Sequence, residues 1–341
     1  MIEQRSLSES KSVCIMDSVG VISVSGLDRL TWLHSLLSQN LKNLKPGESA
    51  EALLLDPQGH IEQQIKIIDD GETTWLIVNK ENTTPLLDWL TKMVFRMKVE
   101  LNNRSADFVL VGACQPIPKL AFVSNSHPLI WKDQWPGVTP GGYRYSTRDV
   151  EYSWFEHILE ASRVDTALGE LSLAGTMAAD ALRVAAGRPL ALSEIDEKSL
   201  PHELDLLATA VHLSKGCYRG QESVAKVHNL GHPPRRLTFL HLDGSDHSLP
   251  DVGDDVRVSG EEKIVGKITS AAQHFEMGPI ALAVLSRSVA EDASLEVSSS
   301  WGLVAATQEV IVPRSAGKVV EVPKLPRLNL GGATKAPKLG E

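Results

Sequence analysis

The sequence predicts an α+β protein of more than one domain, and three observations carry that reading. Strands and amphipathic helices alternate from Ser12 to Val227, whereas from Leu237 onward only short strands with turn signals follow. A helix-bearing sheet succeeded by an all-β segment is the pattern of α+β rather than of repeated βαβ units. At 341 residues the chain is also past the length at which a single hydrophobic core keeps growing.

Composition narrows the class further. A formal charge of −9 and a pI near 5.7 argue against an extensive phosphate-binding surface, so no direct nucleic-acid partner is expected. Charged residues make up 23%, and no apolar run approaches the ~20 residues that span a bilayer, so no membrane partner is expected either. Cys14, Cys114 and Cys217 are sparse, odd in number and without a C-x-x-C pair, which argues against a disulfide framework and against an all-cysteine metal site. The N-terminus has no apolar h-region and carries acids, which suits neither a secretory signal nor a transit peptide. The expectation is a reducing cytoplasm.

In chain order, Ser12 to Ser25 reads as one strand closed by Gly26, and Asp28 as the cap of a helix with Leu30, Leu33 and Leu37 on one stripe. Lys45-Pro46-Gly47 turns into a buried strand at Ala52 to Leu55. Asp56-Pro57-Gln58-Gly59 turns back into His60 to Ile68, and Asp69-Asp70-Gly71 into Thr73 to Val78. Thr84 and Pro85 begin a helix towards Met97 with Leu86, Leu90 and Met93 inward. Strands are expected at Lys98 to Leu101, Phe108 to Ala113 and Tyr143 to Ser146, with a loop-dominated stretch from Gln115 to Gly142. Helices are expected around Trp154 to Ala161 and at Thr176 to Ala186, the latter ended by Gly187. The irregular run that follows is of the kind that wraps a site or an interface. Five short strands after Leu237 read as a barrel or sandwich, and Arg314 to Glu341 as a basic, disordered tail.

The most unusual stretch is Val211 to Val227. A strand ends near Ser214, Lys215 to Gly220 makes a turn bounded by glycines, and Gln221 begins a helix. Flanking glycines permit positive φ and close approach to a ligand. Lys215 and Cys217, two apart, face one side if the turn is extended. An ammonium and a helix N-terminus near the thiol both favour the thiolate, which makes Cys217 the candidate nucleophile. His212 and His228 are candidate bases. Cys14 and Cys114, each in an apolar strand, read as ordinary buried residues.

Lys215-Gly216-Cys217-Tyr218-Arg219-Gly220-Gln221-Glu222 resembles the K-G-C-Y-x-G-Q-E signature of YgfZ-type folate-binding proteins, which are related to the glycine-cleavage T-protein (GcvT, aminomethyltransferase) and to mitochondrial iron–sulfur assembly factors. Val24 to Asp28, Leu33 to Asn40, Leu54 to Gly59, Leu182-Arg183, Pro201-His202-Glu203 and Gly266 to Ala271 resemble other parts of the same family. The resemblance spans roughly residues 12–313. It implies a GcvT/YgfZ-like multidomain ring around a folate-sized channel, ending in a small C-terminal β-barrel. The corresponding divisions are a folate-binding α+β domain at 1–165, a second α+β segment with the signature at 166–235, the barrel at 236–313 and the tail at 314–341.

The resemblance also implies tetrahydrofolate or a derivative as cofactor and iron–sulfur enzymes as clients, including one that modifies tRNA. Cys217 and Lys215 are the expected reactive pair. Arg183 and Lys215 are candidate cations for the folate tail, Glu203 is a candidate anchor for the pterin edge, and Tyr218, Gln221, Glu222 and Gln64 complete the expected binding set. The chain departs from the pattern where the T-protein carries its catalytic aspartate: Gln63 and Gln64 stand there. Ala185 replaces a frequent glutamate, and Val19 and Ala179 stand where one bacterial branch has tryptophans. An amide has no basic carboxylate. The expectation is therefore an accessory folate-binding protein for iron–sulfur enzymes. The alternatives are an aminomethyltransferase or one-carbon transferase, and a scaffold in which folate is vestigial.

Overall fold

The computed structural model describes residues 1–244, 249–300 and 302–320. The first part of the chain runs α1 (Ile2–Ser8), β1 (Ser12–Met16), β2 (Val19–Ser25), α2 (Arg29–Leu36), β3 (Ser49–Leu55), β4 (Ile61–Asp69), β5 (Thr73–Asn79), α3 (Thr83–Lys92), β6 (Glu100–Asn103) and β7 (Phe108–Ala113). Then come the short β8 (Val123–Ser124), β9 (His127–Pro128) and β10 (Ile130–Lys132), followed by β11 (Phe155–Glu160), α4 (Val164–Leu168), β12 (Ser172–Ala174), α5 (Thr176–Ala185) and α6 (Gln221–Leu230). Six strands finish the described chain: β13 (Arg235–Leu242), β14 (Asp255–Val258), β15 (Ile264–His274), β16 (Gly278–Ser286), β17 (Leu295–Ser299) and β18 (Gly302–Val310).

These strands form two five-stranded sheets, ordered β3-β4-β5-β2-β6 and β10-β11-β7-β1-β12, a β8-β9 pair, and a closed barrel β13-β16-β15-β14-β17-β18. All pairings are antiparallel except β1 with β12. Sheet alternation then builds the layers. Val21, Ile68 and Ile77 pack against the second sheet with Phe108, Trp131 and Trp154. Ile22, Leu76 and Val78 face the other way, onto Leu33 and Leu37 at α2 and Leu86 and Leu90 of α3. One further cluster joins Leu53 and Leu55 of β3, Leu204 to Leu207, Tyr218, and Phe239 and Leu282 of the barrel. The arrangement closes on itself where the Gln4 side chain of α1 donates to Gln273 O and accepts from Phe275 N at the β15–β16 turn. Among the described residues no helix is long and apolar enough to cross a membrane.

Several sequence expectations are corrected. The Ser12–Ser25 run breaks at Asp17-Ser18, and its halves enter different sheets. Trp154 to Ala161 is not helical. It contains the strand β11, held between β10 and β7 and covered on both faces, so its continuous burial hides the two-residue period. Tyr143 to Ser146 pairs with no strand; the backbone N–H groups of Tyr145 and Ser146 donate to the Asp205 carboxylate instead. The segment before Ser214 is a series of buried turns rather than a strand. Helix α3 stops at Lys92 and leaves Met93 exposed at its end. Asp28 stands at the cap position of α2, yet its side chain accepts from Lys98 N. The barrel has a sixth strand, β18, that the sequence reading did not single out. Of the expected tail, residues 314–320 pack on α6 through Val319 N to His228 O and Val320 N to Asn229 O, and 321–341 lie outside the described residues.

Candidate functional site

The two glycine turns meet. Gly59 and Gly220 both have positive φ, and a Cβ on Gly220 would lie 2.5 Å from Asp56 O and 3.1 Å from Gly59 Cα. Only glycine tolerates that backbone-on-backbone contact. Arg219 adds a two-bond pairing with Glu62 and lies over the Trp89 ring.

Within this turn the expected Lys215–Cys217 partnership is corrected. Lys215 is buried, and its ammonium donates to the carbonyls of His34, Leu37 and Gln39, the last at 3.0 Å. Three N–H donors thus meet three acceptors at the C-terminal end of α2. Burial, then the Lys42 charge, pushes its pKa down to about 7. Cys217 is exposed and makes no hydrogen bond among the described residues, so the ammonium points inward while the thiol faces solvent. Neither candidate base is bonded to it: His228 pairs with the Tyr145 hydroxyl at 2.8 Å, and His212 with Ser214 N. Burial pushes the thiols of Cys14, in the core, and Cys114, half-buried against it, up to about 11, as suits unreactive cysteines.

Tyr218 lies in the core beneath Lys215, the Gln221 amide donates to Lys215 O, and Glu222 is exposed. Glu203 is wholly buried and held by the Arg235 guanidinium, with Leu200 N as a further donor. None of these residues lines the cavity described next.

That cavity, of about 350 Å³, lies between β4, β11, α5 and the loop after α5, at the low end of the range for small-molecule sites of about 300–1,000 Å³. Gln64 and Lys66 reach it from one face of β4, two apart. Trp154 and Glu156 reach it at the same spacing at the start of β11, and Arg183 comes from α5. The left-handed Gly187 ends α5 and turns Arg188 back into it. A larger open groove of about 930 Å³ passes Gln39, Ser49, His127 and the candidate base His212, but none of the expected folate-binding residues lines it.

The polar lining is tightly wired. Glu51 Oε1 accepts from Gln64 Nε2 at 2.7 Å and from Arg188 Nη2 at 2.6 Å, and Oε2 accepts from Thr209 at 2.7 Å. Burial works to raise the Glu51 pKa, but the Arg188 charge and these bonds outweigh it and hold the carboxyl below its usual range. Arg188 Nε donates to Asp133 at 3.0 Å; burial, reinforced by Glu51, nonetheless raises the Asp133 pKa. Lys66 and the Trp154 indole both donate to Glu156 Oε1. Arg183 is spent within the protein on Asp180, Arg188 O, Glu194 and Ser270.

Two fully buried atoms of the lining are left over. Glu156 Oε2 and Arg188 Nη1, on residues 1% and 3% exposed, have no hydrogen-bond partner among the described residues. Stranding a charged group's atom in this way is costly, so an acceptor and a donor on residues lining one cavity suit a ligand edge that offers the converse. Sequence reasoning missed Glu51, Lys66, Asp133, Glu156 and Arg188. The available signal was a carboxylate inside an otherwise apolar strand, as in Ser-Ala-Glu-Ala-Leu and Phe-Glu-His-Ile, since such a group folds only with a partner.

The fold is that of a glycine-cleavage aminomethyltransferase. The solved aminomethyltransferase T of the Bartonella henselae glycine cleavage system matches 94% of this chain and 91% of its own at a TM-score of 0.70, with 17% identity. By sequence the chain is similar to three kinds of protein. It is 29% identical over 293 residues to the aminomethyltransferase of Rippkaea orientalis, covering 80% of this chain and 77% of that one. It is 30% identical over 239 residues to the mitochondrial iron–sulfur cluster assembly factor IBA57 homolog of Mycosarcoma maydis, covering 65% and 55%. It is 24% identical over 305 residues to the tRNA-modifying protein YgfZ of Klebsiella pneumoniae, covering 84% and 89%. No protein-family model matches the chain. These homologues support the GcvT/YgfZ family and leave the particular role unresolved between them.

Proposed function

We propose that this protein binds tetrahydrofolate or a derivative in the 350 Å³ cavity and serves as an accessory factor for iron–sulfur enzymes, not as an aminomethyltransferase. The observation that carries the ligand is the unpartnered pair Glu156 Oε2 and Arg188 Nη1. The aminopyrimidinone edge of a pterin carries N–H donors beside a carbonyl, the complement of that pair. Trp154 and Leu190 supply apolar surface for the ring. The ring-anchor role assigned from sequence to Glu203 thus passes to Glu156. Arg183 remains in the wall as a positioning group.

Against transfer chemistry stands Gln64, an amide where the cavity faces β4. Aminomethyl transfer to folate calls for a charged group near the reacting nitrogen, and such groups contribute about 10²–10⁴-fold. Glu62 offers no substitute, because its carboxylate is paired outside the cavity with Arg219. Similarity to the IBA57 homolog and to YgfZ supports the iron–sulfur and tRNA-linked reading. An exposed Cys217 outside the cavity lining suits a thiol offered to a client protein rather than to folate. The aminomethyltransferase similarity keeps the second reading in play.

Calorimetric titration with tetrahydrofolate tests the proposal. Binding is expected in the wild type and weakened at least tenfold in Glu156→Gln, which replaces an acceptor oxygen by a donor. No heat and no thermal stabilisation at millimolar ligand would overturn the cofactor assignment. Methylenetetrahydrofolate formation from an aminomethylated carrier protein, at rates of a genuine aminomethyltransferase, would overturn the accessory role.

A further inference from the structure

Gln64 is a fixed acceptor. Its Nε2 donates to Glu51 Oε1, which also accepts from Arg188 Nη2. Arg188 and the surrounding hydrogen bonds hold Glu51 in its acceptor-only form, so only the nitrogen end of the amide can face it. Glu51 lies outside the cavity wall and Gln64 within it. The amide oxygen is therefore the end presented to the cavity, and Gln64 Oε1 has no hydrogen-bond partner among the described residues although the residue is only 7% exposed. With Glu156 Oε2 and Arg188 Nη1 the wall offers two acceptors and one donor. Arg188 and Gln64 are neighbours, since both reach the same oxygen of Glu51.

We propose that Gln64 reads the oxidation and substitution state of the bound heterocycle, with Glu51 as the positioning residue that locks its amide. The cavity then selects a reduced pterin with a free ring N–H at N5, beside the carbonyl that Arg188 receives. It discriminates against forms whose N5 is an aromatic nitrogen or is acylated. A ring nitrogen lone pair or an acyl group there sets acceptor against acceptor in a buried place, which costs roughly ten- to a hundredfold in affinity. The inference rests on the folate reading of the cavity and goes beyond it by naming the form that binds.

The test is calorimetry with three probes, tetrahydrofolate kept reduced, 5-formyltetrahydrofolate and folic acid, on wild type, Glu51→Gln and Gln64→Leu. The wild type is expected to prefer tetrahydrofolate by roughly ten- to a hundredfold. In Glu51→Gln the Gln64 amide is free to turn, and the preference should shrink to about threefold or less. Gln64→Leu removes the acceptor while Arg188 and Thr209 still hold Glu51, so it keeps the experiment decisive if Glu51→Gln does not fold. The affinity ratio is the readout, because a purely structural role would weaken all three probes alike. Equal wild-type affinities, or a preference that survives Gln64→Leu, would overturn the inference and leave the folate reading standing. If none of the probes binds, the reading falls and the inference with it.

Discussion

Replacing Lys215 by Met separates a structural clamp from a partner of the thiol. The substitution keeps most of the buried stem and deletes the ammonium that donates to the His34, Leu37 and Gln39 carbonyls. Hydrogen bonds from a charged donor are worth about 1.5–3 kcal/mol each, and stripping a helix end of its donor leaves buried carbonyls without partners. The Tyr218 ring also loses a cation 4.9 Å from its centre, worth about 0.5–2 kcal/mol. The opposing term is the burial that pushes the lysine pKa down to about 7, since removing the charge removes that penalty. These terms are not additive, and breaking a buried charged interaction costs about 3–5 kcal/mol overall, so the lower end, about 3 kcal/mol, is expected here. At about 2 °C per kcal/mol for a large chain, that is a melting drop of about 6 °C. Circular-dichroism melts give the stability, and iodoacetamide labelling of Cys217 gives the thiol. The labelling rate of the folded protein should be unchanged. A melting point within 2 °C of wild type, together with slower labelling, would refute the clamp and restore the thiol partnership.

Cys217→Ala should change stability by no more than about 0.5 kcal/mol, because the residue is exposed; a melting drop of ten degrees would make the thiol structural. Arg235→Leu should cost about 3–5 kcal/mol in urea unfolding by leaving the buried Glu203 carboxylate unpaired, while tetrahydrofolate affinity stays within twofold; a large affinity loss would return Glu203 to the binding site. The His202 ring is fully buried with its Nδ1 unpartnered, and burial pushes its pKa down to about 4, below the ~6.5 of the unfolded chain. The unfolded state therefore binds the proton first, so this contribution is intact above about pH 6.5 and is lost as pH falls towards 4. Melting points of wild type and His202→Gln across that window should converge as the pH drops, and a constant gap would refute the assignment.

The legible parts of the sequence were those governed by local rules. Gly59 and Gly220 announce turns that need positive φ, and both have it. Leu33 and Leu37 announce the buried stripe at α2, and Gly187 the end of α5. The errors fell where burial on both faces erased the period, as in β11, or where a side chain replaced a strand partner, as Asp205 does for Tyr145 and Ser146. Lys215 was singled out correctly as unusual and given the wrong direction. Spacing places it near Cys217, but the carbonyls that accept its hydrogen bonds lie more than 170 positions earlier in the chain.

What the sequence determined by itself was an α+β chain with a terminal β unit and a glycine-bounded turn presenting a thiol, because backbone freedom and apolar period act over a few residues. The candidate ligand site was decided only by the tertiary structure. Its wall gathers Gln64, Asp133, Glu156, Arg183 and Arg188 from segments that share no motif, and it is oriented from behind by Glu51. The sequence reading set both Gln63 and Gln64 where the T-protein carries its aspartate and named Gln64 in the binding set. Gln64 lines this cavity and is bonded to Glu51, whereas Gln63 is not part of the wall. Which lone pair stays unpartnered after packing depends on every neighbour at once, and no spacing along the chain reports that.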